Sequence, residues 1–238
     1  MPIGDSLTVG LHWDRANDDS YRPYLWRELT SKGYDVDFVG TMQTGDGSYD
    51  GDNDGFGGFT MGPDNGFVDA NGKLTNNLYA HIAAHIAVPN SKNEKSDADI
   101  VTFSDPDVVL LNVGTNDAES DSAKIFERLN GLVALIRLKA PDAIVVVSSV
   151  TPSDAAVLEL VGPQAKRIAE ASDGRVLYAD IRGRMTAGNT ELSAAPFTPE
   201  DWQGPTDRHL SATGGPKFAA AWFPTVVQAL SMPRCASR

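Results

Sequence analysis

Val108-Val109-Leu110-Leu111, preceded by Pro106-Asp107 and followed by Asn112-Val113-Gly114, is apolar at every position, and so is Ile144-Val145-Val146-Val147 further along the chain. A strand with one wet face alternates apolar and polar residues, whereas a strand covered by helices on both faces reads as a continuous apolar run. The two runs, bounded as Asp107 to Val113 and Ala143 to Val150, therefore predict central strands of a parallel sheet. Asp35 to Thr41 and Arg175 to Asp180 are further strand candidates. Helical patterns fall between them at Tyr21 to Lys32, Asn76 to Val88, Ser122 to Ala140, Ala155 to Ser172 and Ala212 to Leu230, the last expected to kink at Pro224. This alternation predicts one α/β domain over residues 1–238, a three-layer, doubly wound, flavodoxin-like sandwich around a parallel sheet of about five strands. In such a fold the ligand site lies beyond the carboxyl ends of the strands. Only Met1-Pro2-Ile3 precede the turn Gly4-Asp5-Ser6, so the first strand is either short or deprived of residues upstream of this sequence.

The chain has 238 residues, 41% hydrophobic and 22% charged, an ordinary globular composition. Lys and Arg total 20 against 32 Asp and Glu, for a net charge of −12, and no basic cluster is present. Nucleic acid binding rests on neutralising phosphates and is not expected. A neutral ester, small or attached to a polysaccharide, meets no such repulsion. No apolar stretch approaches the ~20 residues of a membrane-spanning helix. Cys235 has no second cysteine to pair with. A secreted form with its signal removed is favoured over a cytoplasmic one, and oligomeric state leaves no mark on the sequence.

Several segments could carry chemistry. Gly4-Asp5-Ser6 places a hydroxyl at the end of the first strand, although such residues also serve as turn formers and helix caps. The Gly-x-Ser-x-Gly elbow is absent, since Thr8 stands where its second glycine belongs. A serine nucleophile needs a base. His209, in Pro205-Thr206-Asp207-Arg208-His209, lies in a loop before the last helix, and Asp207 offers a carboxylate to orient its imidazole. Asn116, after Gly114-Thr115 at the end of the strongest strand, could supply an amide N–H to an oxyanion, with Asp117 capping the next helix. Gly55-Phe56-Gly57-Gly58 could bring backbone N–H groups close to a ligand. His81 and His85, spaced i, i+4, lack the Glu and third ligand of a zinc site. Asp50 to Gly55 matches half of a calcium loop, but Met61 stands where its bidentate Glu belongs. Neither a metal nor another cofactor is expected. His12 follows the serine turn closely.

Together these blocks resemble the GDSL, or SGNH, hydrolase superfamily, with a spacing that covers nearly the whole chain. Gly4-Asp5-Ser6-Leu7 resembles its first block, Gly58 falls at the glycine of the second, Gly114-Thr115-Asn116-Asp117 resembles the third, and His209 matches the histidine of the last. The resemblance implies Ser6 as nucleophile, His209 as base, and an oxyanion hole formed by the Ser6 and Gly58 N–H groups and the Asn116 amide. Tyr21-Arg22, Asp37-Phe38-Val39-Gly40 and Pro106 to Leu111 are further similar to the branch of microbial carbohydrate esterases and acetylxylan esterases. This implies removal of short acyl groups, acetyl above all. The alternatives are a lipase or thioesterase acting on longer chains and a non-catalytic carbohydrate-binding protein. The chain departs from the family in two respects: Leu210 follows the histidine where the family often has proline, and the acid before it is displaced. The family's last block is usually Asp-x-x-His, and the place of that Asp holds Thr206, with Asp207 only two residues before the histidine.

Overall fold

In the computed structural model, which describes residues 1–10, 20–72, 74–84, 105–117, 119–152, 156–188, 194–204 and 207–233, the two apolar runs form neighbouring parallel strands. The described elements are, in chain order, β1 (Pro2–Gly4), α1 (Ser6–Val9), α2 (Arg22–Ser31), β2 (Met42–Gln43), β3 (Asp52–Gly55), β4 (Phe67–Val68), β5 (Leu74–Thr75), α3 (Leu78–Ala84), β6 (Val108–Asn112), α4 (Ser122–Lys139), β7 (Ile144–Ser148), α5 (Val161–Glu170), β8 (Val176–Ala179), α6 (Ile181–Ala187) and α7 (Gly214–Leu230). The main sheet has the order β2-β3-β1-β6-β7-β8, while β4 and β5 form a separate two-stranded hairpin. Five of the six sheet strands run parallel, and the short edge strand β2 is antiparallel to β3.

The apolar runs divide their side chains by simple alternation. Val109 and Leu111 of β6 and Val145 and Val147 of β7 join one core with Ile125, Leu129, Leu132 and Ile136 of α4 and Ala165 and Ile168 of α5. Leu110, Ile144 and Val146 face the other way, into a second core with Leu25 and Leu29 of α2 and Phe218 and Trp222 of α7. A sheet buried on both faces is the three-layer sandwich expected from the sequence. Helix α4 starts at the Asp121 cap, whose carboxylate accepts from the Ala123 N–H. Helix α7 runs on through Pro224 without a break.

Two sequence expectations are corrected. Asp35 to Thr41 forms no strand. The Phe38 N–H donates to the Asp50 carboxylate, and the Thr41 N–H and hydroxyl donate to Asp54 Oδ1 at 3.2 and 2.6 Å, so acidic side chains hold donors that a ladder would use. The place beside β1 falls instead to β3, whose sequence Asp-Asn-Asp-Gly has no strand character. The second correction concerns Ala155 to Ser172. Ala156–Leu160 is a 3₁₀ turn, and the α-helix begins only at Val161. Of the helix expected over Asn76 to Val88, Leu78–Ala84 is present and residues 85–88 lie outside the described residues.

β1 has three residues and sits in the middle of the sheet, between β3 and β6. Gly4 makes this possible, since a Cβ there would stand 2.0 Å from the Asn112 carbonyl oxygen and 2.4 Å from Thr8 Oγ1. Gly4→Ala should therefore force β1 and β6 apart and cost about 3 kcal/mol or more, the upper range of core overpacking. Urea unfolding of the variant checks this, and an unchanged midpoint would contradict it.

Candidate active site

The register of β1 decides what surrounds Ser6. Gly4 pairs with Gly55 on one side and Asn112 on the other, so the chain leaving β3 and the chain leaving β6 rise on either side of the serine turn. The Phe56 N–H donates to the Gly4 carbonyl at 2.9 Å and the Asp5 N–H to the Asn112 carbonyl at 3.3 Å, fastening both flanks. Ser6 opens α1 and is buried. As the first helical residue it has no intrahelical acceptor for its N–H.

The flanking loops meet above the serine turn. Asn116 Nδ2 donates one hydrogen to the Phe59 carbonyl at 2.9 Å, one residue beyond Gly58. Because an amide nitrogen carries two hydrogens, the second can serve an oxyanion. Gly58 has φ +75°, a left-handed conformation that suits glycine. Asp117, expected to cap the next helix, has a different task. Its buried carboxylate accepts from the Met61 N–H at 3.2 Å and from the Asn65 side chain, so it ties the loop after Gly58 to the loop after β6. Burial raises its pKa, with Asn65 and Met61 opposing the rise.

His209 reaches this region from the far end of the chain. Its Nδ1 lies 2.7 Å from Asp207 Oδ1, which also accepts the His209 backbone N–H at 2.9 Å. The two-residue spacing therefore suffices, because the carboxylate folds back over its own turn. Thr206 lies outside the described residues. The loop is held by Gln203 N–H to the His209 carbonyl at 2.9 Å and by Ser211 N–H to the Asp201 carbonyl at 2.8 Å. Arg208 Nη1 donates to the Thr115 carbonyl at 3.2 Å, which fastens the histidine loop to the residue before Asn116. Sequence reasoning missed Arg208, since an arginine beside a histidine has no distinguishing pattern.

Arg22, which the sequence marked only through the family-like pair Tyr21-Arg22, is a fully buried side chain on α2. Its guanidinium donates to the carbonyls of Thr8 (2.8 Å), Val9 (3.2 Å) and Gly51 (2.9 Å) and to Thr44 Oγ1 (2.6 Å). The carbonyls at the end of α1 are thus satisfied by a side chain, and the short helix bearing Ser6 is anchored at its far end. Of the acidic segment Asp50 to Gly55, Asp52–Gly55 forms β3, with Asn53 and Asp54 buried. Among the described residues, no group of three His, Cys, Asp or Glu is arranged to hold a metal ion. His81 packs edge-on against the rings of Phe56 and Phe59, while His85 and His12 lie outside the described residues.

The fold is a three-layer sandwich of the kind found in carbohydrate esterases of solved structure. A family 3 carbohydrate esterase from Clostridium thermocellum superposes with a TM-score of 0.69 at 23% identity, covering 98% of both chains. A family 3 carbohydrate esterase from Talaromyces cellulolyticus gives 0.69 at 21%, again over 98% of each. At these identities the likeness is one of fold. A multidomain esterase of Ruminococcus flavefaciens is 30% identical over 156 residues, 59% of this chain, and the match spans 17% of that relative's length. No family model matches the chain.

Asp5 gives this site a pH signature. Its carboxylate is fully buried and caps α1 by accepting the Leu7 N–H at 3.0 Å. Burial pushes its pKa up to about 7, against the opposing influence of the Leu7 amide and of Thr115. A carboxyl that holds its proton more tightly when folded contributes stability below its unfolded pKa of about 4, and that contribution is lost as pH rises to about 7. Asp5→Asn keeps the cap and removes the titration. The stability of this variant relative to the parent should therefore climb between about pH 4 and 7. Urea midpoints across that range check it, and a flat or falling difference would count against it.

Proposed function

We propose that the chain is a serine ester hydrolase that removes short acyl groups, acetyl foremost, from a carbohydrate or other neutral ester. The observation that carries this reading is the Asp207–His209 contact on a loop fastened to the Thr115–Asn116 turn. With Nδ1 as donor to Asp207, the lone pair of the neutral imidazole is on Nε2, the nitrogen turned away from the carboxylate and suited to accept the Ser6 proton.

His209 takes the proton of Ser6 Oγ as that oxygen bonds to the ester carbonyl carbon. The carbonyl oxygen becomes an oxyanion, held by the Ser6 N–H, the Gly58 N–H and the second N–H of Asn116. His209, now charged and steadied by Asp207, returns the proton to the alcohol oxygen as the C–O bond breaks. Water then gives a proton to His209 as its oxygen attacks the acyl carbon, and when the bond from that carbon to Ser6 Oγ breaks, His209 returns the proton to Oγ and the free acid departs. None of these steps uses a metal or cofactor. The fold shared with carbohydrate esterases supports a sugar ester as substrate, and a polysaccharide ester would place the protein outside the cell. The non-catalytic alternative drew its force from the displaced acid, and the 2.7 Å contact to Asp207 supports the catalytic reading over it.

Hydrolysis of p-nitrophenyl acetate tests the reading. Ser6→Ala should abolish turnover, a loss on the order of 10,000-fold or more. Asn116→Ala, which removes one oxyanion donor, should lower kcat about 100-fold to 1,000-fold. Asp207→Asn should lower kcat by on the order of 1,000-fold or more, since the ring then loses its charged partner. Near-normal rates in Ser6→Ala would exclude the mechanism, and a preference for acyl chains longer than acetyl would favour a lipase or thioesterase.

A further inference from the structure

Of the four large apolar side chains exposed among the described residues, three lie on the β4–β5 hairpin: Phe67 at 55%, Val68 at 66% and Leu74 at 41%. Single exposed apolar residues are ordinary, but a group of them calls for an explanation. The register pairs Phe67 with Thr75 and Val68 with Leu74, so alternation puts Phe67 on the opposite face of the hairpin from the other two. The face bearing Phe67 adjoins the site. A Cβ built on Gly58 would stand 3.6 Å from Phe67 Cε2 and 3.5 Å from Asn76 Nδ2, so both side chains border the space beside Gly58.

A second observation falls at the same place. Asn76 has φ +54°, one of two positive-φ residues other than glycine among the described residues. Its backbone is held there by the Thr60 N–H, which donates to the Asn76 carbonyl at 2.9 Å. Left-handed backbone at a residue other than glycine carries a conformational cost and collects at functional sites. Here its effect is to bring a carboxamide alongside Gly58.

Resting on the hydrolase reading above, we propose that Phe67 and Asn76 form a sugar subsite next to the oxyanion glycine. Phe67 stacks on the apolar face of the pyranose that bears the ester, and the Asn76 amide hydrogen-bonds a neighbouring hydroxyl. An acyl chain is the poorer occupant, because apolar ligands are bound in enclosed clefts and this ring stands more than half exposed on a hairpin. A sugar ring has a C–H face and a hydroxyl rim, which match a flat aromatic surface with an amide beside it. A neutral sugar is also compatible with a chain of net charge −12.

The test has two arms. Hydrolysis of vinyl acetate, an ester with no ring to stack, tests the hydrolase reading alone. Calorimetric binding of acetylated xylo-oligosaccharide to Ser6→Ala protein, with and without Phe67→Ala or Asn76→Gly, tests the subsite. Glycine accepts the left-handed backbone of residue 76, so the second variant removes the amide while the fold is kept. Each added change should weaken oligosaccharide binding about tenfold, and Phe67→Trp should restore it. In the Ser6-containing protein, Phe67→Ala should raise KM for the oligosaccharide and lower kcat/KM on it at least fivefold more than on vinyl acetate. Equal losses on both esters, unchanged oligosaccharide binding, no binding by Ser6→Ala itself, or a defect that grows with acyl length would each overturn the subsite. A parent that binds the sugar through Phe67 but hydrolyses neither ester would uphold the subsite and overturn the hydrolase reading.

Discussion

The arrangement depends on the close approach of β1 to β6 at Gly4. With no side chain at that position, a three-residue strand enters the centre of the sheet, and the Asn112 carbonyl can receive the Asp5 N–H. Everything that gathers round Ser6 follows from that insertion. The strands on its two sides end level with it, so their loops rise as walls, and Asn116 closes the gap by bonding the Phe59 carbonyl. A bulkier residue would move the serine turn away from both walls together.

Buried polar groups make this framework rigid. Arg22, Asp5 and Asp117 each satisfy backbone groups that would otherwise be orphaned: the end of α1, its beginning, and the loop after Gly58. An unsatisfied buried donor or acceptor costs about 1–3 kcal/mol, so each side chain opposes loosening of the segment it serves. The cost of this design appears in Asp5, whose burial disfavours its own charge. Preorganised donors are what oxyanion stabilisation requires, because a hole that must reorganise during reaction loses most of its effect. The same logic extends to Asn76, whose carbonyl accepts the Thr60 N–H and is held in place by it.

What the sequence revealed follows the nature of the signals. The β6, β7 and β8 strands were legible because burial on both faces, or close to it, writes itself as an apolar run. The β3 strand was not, because Asp52-Asn53-Asp54-Gly55 owes its place to bonds with Thr41, Thr44 and Gly51 rather than to hydrophobic burial, and its composition imitates half a calcium loop. Ser6, Asn116 and His209 stood out through their motifs. Asp117 was assigned to the wrong partner because capping is a local pattern, whereas its bonds to Met61 and Asn65 span more than fifty residues. The reach of Asp207 to His209 depends on the turn between them, which spacing alone does not fix. Phe67 and Asn76 carried no motif at all; their proximity to Gly58 arises only when the hairpin folds over it.

The central claim is that this framework turns Ser6 into a nucleophile. Labelling with a fluorophosphonate followed by peptide mass mapping tests it most directly, since the reagent captures a serine hydroxyl whose proton a neighbouring base can take. The account predicts one adduct, on the peptide containing Ser6, formed by the folded protein and lost after denaturation. Labelling at another serine, or none at Ser6 in folded protein, would contradict it.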